Sequence, residues 1–239
     1  MKLPFILMAI LLSFPTFAEN KINLSYSATQ PPMHTSQLTG FVDLVLTEAF
    51  KRIDYKVDIS RVDNEHSLIN TNKGIVDGLS QRISGLTKHY PNLIRVPEKI
   101  VDWQFVAFSK QNINTSKGWN SLTPYTVAII TGWKIFEYNI PERTSVTKVK
   151  NTEQLFNLLN KSRCDIILFE RFQGLQFIKK MGYKNMKLLE PAMAKREMFT
   201  YLHKKHASLV PKLSRALKEI KNDGTYQLLY DRILAPLEK

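Results

Sequence analysis

Cysteine and glycine are both scarce in this sequence, and each shortage excludes a class of structure. Cys164 is the only cysteine among 239 residues, which excludes an internal disulfide and a cysteine-based zinc site. It stands just before the apolar run 166–169, so we predict a buried core thiol rather than a nucleophile. With nine glycines and no low-complexity tract, the sequence offers no flexible linker between domains.

The motifs of the common enzyme classes are absent as well. The sequence contains no HExxH, G-x-S-x-G, P-loop or dinucleotide-binding GxGxxG pattern. His203 and His206 have H-x-x-H spacing, but the two lysines between them would repel a cation. No spacing pairs carboxylates for acid–base chemistry, although carboxylates from separate strand ends can still converge. We therefore predict no catalytic residue, no metal and no cofactor.

Long apolar runs are missing except at the N-terminus, where residues 3–12 follow Lys2. The ending Thr16-Phe17-Ala18 completes the pattern of a signal peptide, and the run is too short for a stable membrane span. We expect residues 1–18 to be a signal peptide cleaved near Ala18 and the mature protein to be periplasmic. Because no cysteine follows the apolar run, we expect no lipid anchor.

Positive charge is abundant, with 34 Lys and Arg residues against 21 Asp and Glu residues and a net charge of +13. Such an excess is compatible with an anionic ligand, an anionic surface or nucleic acid. Much of it lies between residues 204 and 221, where basic residues alternate with leucines at helical spacing. This pattern is typical of an amphipathic helix with a solvated basic face. Since no aromatic residues interleave with it, we do not expect nucleic-acid binding.

Strand-like and helix-like segments alternate along the rest of the chain, which predicts a wound, mainly parallel α/β fold. Without a linker, the two α/β halves are expected to be lobes joined by extended strands that cross at residues 109–111 and 201–203. This organisation assigns residues 19–108 and 202–239 to lobe 1 and residues 109–201 to lobe 2. A cleft between such lobes is a common ligand site.

Four segments, taken in order, carry a family pattern: ATQPPM (28–33), TGFVDLVLTEAFKRIDYKV (39–57), NTEQLFNLLNKSRCDIILFER (151–171) and HASLVPKLSRALKEIKNDGTYQLLYDRIL (206–234). Together they resemble the family 3 periplasmic solute-binding proteins, which feed polar amino acid transporters. The resemblance covers essentially the whole mature chain. It implies the two-lobed type 2 periplasmic-binding fold, in which the lobes close over a small solute without catalysis.

The resemblance also implies which strand ends and helix starts face the cleft. Tyr26 ends the first strand, and Met33 stands where the family often has an aromatic residue. Gly132 and Trp133 are expected at a helix start, where free N–H groups suit a carboxylate. Glu170 matches an aspartate that holds the α-amino group in the family's amino-acid binders; the alternative is an exposed carboxylate paired with its neighbouring arginine.

The stretch GLSQRISGLTKHYPNLIRVPE departs from the family pattern. His89 falls where the family's carboxylate-binding arginine belongs, and Arg82 occupies a position normally held by glycine. Ser84 is a candidate hydroxyl donor, and either Arg82 or Arg95 is a candidate replacement for the missing arginine. We predict that Arg82 points into the cleft and meets an anionic group, with a structural ion pair as the alternative.

Two tryptophans are further candidates for ligand contact. Trp103 and Trp133 can stack on an apolar or cationic part of a ligand. An aromatic residue in a strand is more often part of the core.

These features predict a monomeric receptor that captures a small polar solute, an amino acid or a related carboxylate. An ABC permease or a membrane sensor is its expected partner. Two alternatives stay open at this point. One is a dehydratase-like enzyme on the same fold, with Glu170 and His89 converging in the cleft. The other is an interaction protein whose cleft is closed by Arg82 and bulky side chains.

Overall fold

A computed structural model describes residues 20–27, 31–62 and 64–238, with main chain only at residues 64 and 65. The predicted signal peptide, residues 1–18, lies outside the described residues. The first half of the chain contains β1 (Lys21–Tyr26), α1 (Phe41–Lys51), β2 (Lys56–Arg61), α2 (Asn64–Asn72), β3 (Gly78–Arg82) and β4 (Leu93–Ser109).

The second half repeats the alternation, as the sequence pattern predicts. Its elements are β5 (Thr126–Ile130), α3 (Lys134–Glu137), β6 (Ser145–Val149), α4 (Thr152–Asn160), β7 (Ile166–Glu170), α5 (Arg171–Met181), β8 (Lys187–His203), α6 (Leu209–Asn222) and α7 (Thr225–Ile233). The helix expected after Gly132 is only the four-residue α3.

All eight strands form one sheet in the order β2-β1-β3-β8-β4-β7-β5-β6. Strands within each half pair in parallel, β1 with β2 and β3, and β5 with β6 and β7. The long strands β4 and β8 run antiparallel to each other at the centre and join the halves. The predicted α/β class is confirmed, with two parallel halves on either side of an antiparallel pair.

The buried apolar residues of the described part of the chain form four clusters, which are divided between the lobes. The core of lobe 1 packs α1 and α6 against β1 and includes Val101 and Met198, whereas the core of lobe 2 includes Phe105 and Met193. Judged by which core its buried residues join, β4 passes from lobe 1 to lobe 2 between residues 101 and 105. By the same criterion β8 passes back between residues 193 and 198. The sequence-based boundaries at 108/109 and 201/202 stay a prediction.

The packing follows the sequence pattern at α6 and at Cys164. The apolar residues of α6, including Leu213, Leu217 and Ile220, are buried at three- and four-residue spacing, which leaves the basic face exposed. Cys164 is a buried thiol in the core of lobe 2, and burial raises its pKa to about 12. Among residues 20–27, 31–62 and 64–238, no helix is both long and apolar enough to cross a membrane.

Candidate functional site

A cavity of about 320 Å³ lies between the lobes, beside the segments of β4 and β8 that pass from one lobe to the other. Lobe 1 and the crossing strands contribute Ser27, Leu68, Gln81, Arg82, Ile83, Leu86, Trp103 and Met198. Lobe 2 contributes Phe105, Gly132, Trp133, Lys134 and Ile135. The volume is that of a small-molecule site.

Arg82 is the last residue of β3 and one of two cationic residues, with Lys134, that line this cavity. The pairing of β3 with β8 is irregular between Leu79 and Arg82, which allows the consecutive residues Gln81 and Arg82 both to line the cavity. The Nε and Nη2 atoms of Arg82 are buried and have no hydrogen-bond partner among the described residues. Burial lowers the pKa of Arg82 to about 10. A desolvated guanidinium with unpaired N–H groups is a site for an anion.

Aromatic side chains form part of the cavity wall. Trp103 and Trp133 stack with their ring centroids 6.4 Å apart, and the edge of Phe105 meets Trp133 at 6.1 Å. The indole N–H of Trp103 donates to Oε1 of Gln81 at 3.2 Å, which ties this wall to β3. The cavity therefore combines a cationic end with an apolar, aromatic side.

Gly132 and Trp133 line the cavity, but the Gly132 N–H, expected to bind a ligand carboxylate, already donates to a carboxylate of the protein. The Gly132 N–H donates to Oε1 of Glu137 at 3.0 Å, and Lys134 Nζ lies 2.7 Å from Oε2 of the same carboxylate. The hydrogen bond from Lys134 and the one from Gly132 lower the pKa of Glu137. Because α3 has only four residues, its dipole adds little for a second anion.

Glu170 is fully buried and does not line the cavity. As the residue before α5, it accepts the backbone N–H of Gln173 on Oε2 at 2.9 Å, which is a helix-capping contact. Burial raises its pKa to about 7. The neighbouring Arg171 pairs with Glu190 and Glu238 instead. In this conformation the carboxylate stabilises its own helix.

The other expected contacts also lie away from the cavity. Tyr26 and Met33 are buried in the core of lobe 1, where Tyr26 stacks on His34 with ring centroids 4.3 Å apart. Ser84 is exposed in the turn after β3. The structure thus brings together Arg82, Trp103, Gly132 and Trp133, and keeps Tyr26, Met33, Ser84 and Glu170 apart from them. Their roles as ligand contacts stay predictions.

The two other residues considered near the missing arginine are at the surface. His89 is exposed beside a 3-10 turn (Leu86–Lys88). Arg95 is exposed and lies over the Phe199 ring, with its guanidinium carbon 4.4 Å from the ring centroid. Neither lines the cavity.

Ser80, His34 and Asp43 form a hydrogen-bonded series in the order of a catalytic triad. Ser80 Oγ lies 3.0 Å from His34 Nε2, and His34 Nδ1 pairs with Asp43 Oδ1. All three residues are at most 1% exposed and none lines the interlobe cavity. Asp43 also accepts the Gly40 N–H at the start of α1. The series therefore ties α1 to β3, two residues before Arg82, and has no access to a substrate.

Sequence reasoning missed several lining residues. Phe105 was detectable, since it shares a strand face with Trp103 two residues away. Gln81 became a lining residue through the irregular pairing of β3 and β8, which leaves no sequence signal. Lys134 and Ile135 belong to the short α3, whose length was not foreseen.

A second, smaller cavity of about 200 Å³ lies on the other side of Trp133. Arg61 at the end of β2 lines it from lobe 1, and Lys150 and Phe169 line it from lobe 2. Trp133 stacks on Phe169 with a centroid distance of 4.9 Å. Trp133 therefore borders both cavities of the cleft.

Comparisons with known proteins bear on the fold. No protein-family model matches the chain. It is 26% identical over 230 residues to an uncharacterized protein of Shewanella oneidensis, covering 92% of this chain and 85% of that protein. It is 25% identical over 196 residues to the L-cystine-binding protein TcyA of Bacillus subtilis, covering 80% of this chain and 70% of that protein.

Solved structures share the fold at lower sequence identity. An ancestral arginine-binding protein bound to arginine superposes with a TM-score of 0.69 at 18% identity, covering 90% of this chain and 98% of that one. The GluR0 ligand-binding core from Nostoc punctiforme, in complex with L-glutamate, gives 0.70 at 19% identity, covering 89% and 98%. A histidine kinase sensor domain similar to periplasmic binding proteins gives 0.72 at 16% identity, covering 90% and 97%.

This chain has the two-lobed fold of the family 3 solute-binding proteins. The resemblance inferred from the four segments is thereby confirmed. In such a fold the cleft between the lobes is where a ligand is enclosed, and here that cleft contains Arg82 and the tryptophan wall.

Proposed function

We propose that this protein is a periplasmic receptor that captures a small solute bearing an anionic group, an amino acid or a related carboxylate, between its two lobes. The observation that carries the proposal is Arg82, a residue of the cavity lining whose guanidinium has two buried nitrogen atoms without a hydrogen-bond partner among the described residues. An uncompensated buried charge is costly, and an anionic ligand is what would offset that cost.

The fold supports the mode of action. Only β4 and β8 run from one lobe core to the other, within the described residues, and two crossing strands form a hinge. A ligand that contacts both Arg82 and Trp133 favours the closed form, because it binds that form better than the open one. Relatives whose names state a ligand bind amino acids, namely cystine, arginine and glutamate.

The receptor passes its solute to an ABC permease or reports it to a membrane sensor. Both roles occur among proteins of this fold, as a substrate-binding protein of an amino acid ABC transporter and a histidine kinase sensor domain. A catalytic role finds less support, because Glu170 caps its own helix and His89 is exposed away from the cavity. A closed, ligand-free cleft is disfavoured by the 320 Å³ cavity.

Thermal unfolding of the purified protein in the presence of a panel of anionic, neutral and cationic solutes tests the proposal. A bound solute at 100 times its Kd stabilises the folded state by about 2.7 kcal/mol, which raises Tm by several degrees. We expect such shifts among the anionic solutes, together with a decrease in radius of gyration measured by X-ray scattering. If no solute of the panel changes Tm or the radius of gyration, the receptor proposal is wrong.

A further inference from the structure

We infer that the ligand of this cavity is a small carboxylate with an apolar or aromatic body and no ammonium group. The inference rests on the proposed function and narrows its substrate class. It sets this receptor apart from the amino-acid binders that share its fold, since a free α-amino acid carries an ammonium beside its carboxylate. The argument has three parts: the charges that line the cavity, the carboxylates that lie near it, and the character of its wall.

The charges of the cavity lining have one sign. Its ionisable members are Arg82 and Lys134, both cationic, and the described lining includes no carboxylate. An ammonium group enclosed beside Arg82 would lose its hydration, meet like charge and find no anionic partner there. A carboxylate in the same place pairs with the unpaired N–H groups of Arg82.

Two lobe 2 carboxylates that could hold an ammonium, Glu137 and Glu170, do not line the cavity. Glu137 binds the Gly132 N–H and Lys134 through its two oxygens. Glu170 is fully buried, caps α5 through Gln173 and does not line the cavity. Drawing Glu137 toward a ligand would break both of its contacts. Turning Glu170 toward the cavity would break its contact with the Gln173 N–H, although its buried Oε1 has no partner among the described residues. An ammonium would therefore gain either partner only at the loss of an existing contact.

The remaining lining is mainly apolar, with Trp103, Phe105, Ile135 and Met198 among its members. Such a wall fits a hydrocarbon chain or a ring. The Trp133 ring is poorly placed to hold a cation, because it stacks on both Phe136 and Phe169 and part of its π surface is covered. The wall therefore favours an apolar ligand body.

Matched ligands that differ only in the ammonium group test the inference. Isothermal titration calorimetry would compare 3-phenylpropionate with L-phenylalanine, 4-methylpentanoate with L-leucine, and glutarate with L-glutamate. 2-Phenylethylamine, which keeps the ring and the ammonium but lacks the carboxylate, is measured beside the first pair as a control for binding through the ammonium alone. We expect the deaminated acid of a binding pair to bind about tenfold or more tightly than its amino acid. We expect no binding of the amine.

The outcomes separate this inference from the proposed function. If the amino acid of a binding pair binds as tightly as its deaminated acid, or more tightly, the inference is overturned and the receptor proposal stands. Preferential binding of 2-phenylethylamine overturns both, because it contradicts anion recognition by Arg82. If no member of any pair binds, and the wider solute panel is also silent, the proposed function itself fails and the inference falls with it.

Discussion

Arg82 in lobe 1 and Glu170 in lobe 2 occupy equivalent places, each the last residue of a strand whose end faces the cleft. Their surroundings differ. Glu170 has turned back to cap α5, and the nearby Gly132 N–H is bound by Glu137. Arg82 keeps two buried nitrogen atoms without a partner in the described part of the chain. Glu170 also keeps one buried atom, Oε1, without a partner among the described residues, but of these two residues only Arg82 lines the cavity.

The comparison assigns different tasks to the lobes. In the proposed receptor, Arg82 of lobe 1 would supply the buried charge that meets the ligand, whereas lobe 2 adds apolar surface through Phe105, Trp133 and Ile135 beside Lys134. Because an ion pair depends on geometry more strongly than apolar contact does, lobe 1 would set the ligand's orientation and lobe 2 would enclose it. Each prediction below removes one group from one lobe.

Replacing the lobe 1 cation should have the largest effect. In Arg82→Met the ligand loses its charge-assisted hydrogen bonds, each worth about 1.5–3 kcal/mol, so we expect affinity to fall about 100-fold or more. The Tm of the ligand-free protein should not fall, because a desolvated charge is replaced by an apolar chain. Calorimetry and thermal unfolding measure the two quantities.

Arg95→Met is the matched control, since Arg95 is exposed on the adjoining part of lobe 1 and does not line the cavity. Its affinity should equal that of the unmodified protein. If Arg82→Met instead binds normally and unfolds at a clearly lower temperature, Arg82 is a structural arginine and the contrast between the lobes disappears.

Removing the lobe 2 wall should have the next largest effect. Trp133→Ala deletes ring contacts with Phe136 and Phe169 and opens one cavity into the other. Truncating such a side chain costs about 3 kcal/mol of unfolding free energy. We expect affinity to fall about tenfold as well, since stacking and enclosure contribute on the order of 1 kcal/mol or more.

Trp119→Ala is the control that distinguishes a loss of stability from a loss of ligand affinity. Trp119 also packs on Phe136, with ring centroids 6.3 Å apart, but it does not line either cavity of the cleft. Denaturant unfolding should show a loss of stability for both variants, whereas titration should show weaker binding only for Trp133→Ala. Equal affinities for the two variants would mean that Trp133 serves the core alone.

The fold was predictable from the sequence because its signals are local and repeated. Apolar spacing identified α6, and turn residues marked the break between α6 and α7. Alternating strands and helices indicated two wound halves. The four segments of the family pattern then named the fold.

The site was less predictable, since its polar groups are decided by contacts between neighbours in space. Arg82 was conspicuous because a guanidinium stands where small or apolar residues are expected. Glu170 also carries a signal in sequence, but whether it faces the cleft or caps α5 depends on the position of Gln173. The capture of the Gly132 N–H by Glu137 depends on the tight turn into α3, which the apolar pattern does not specify.

The pH dependence of stability tests whether Glu170 is buried in lobe 2, where it caps α5, or is exposed to the cleft. Burial raises its pKa to about 7, above the value of about 4.3 for an exposed glutamate. Since the folded state holds the proton more tightly, the stabilising contribution is complete below the unfolded pKa and is lost as pH rises through about 7. The loss should be about 3 kcal/mol between pH 4 and pH 8.

Urea unfolding of the original protein and of Glu170→Gln, at matched pH values, measures this contribution. The amide keeps an acceptor for the Gln173 N–H but does not titrate. The stability of the variant should therefore improve relative to the original protein as pH rises, while other titrating groups cancel in the difference. A difference that is flat with pH would mean that Glu170 is solvated or paired, as expected of a residue exposed to the cleft.

The smallest expected effect is a gain in affinity. It tests whether lobe 2 has an anion site that is blocked only because Glu137 occupies it. Glu137→Ala frees the Gly132 N–H and Lys134, both of which line the cavity. A carboxylate ligand should then bind about two- to fivefold more tightly, the range expected from gaining a partly exposed cationic neighbour. Glu142→Ala removes an exposed acid from the same lobe and controls for the change in net charge. If Glu137→Ala weakens binding while Glu142→Ala does not, Glu137 contributes to recognition and lobe 2 is no longer the passive, apolar half of the cleft.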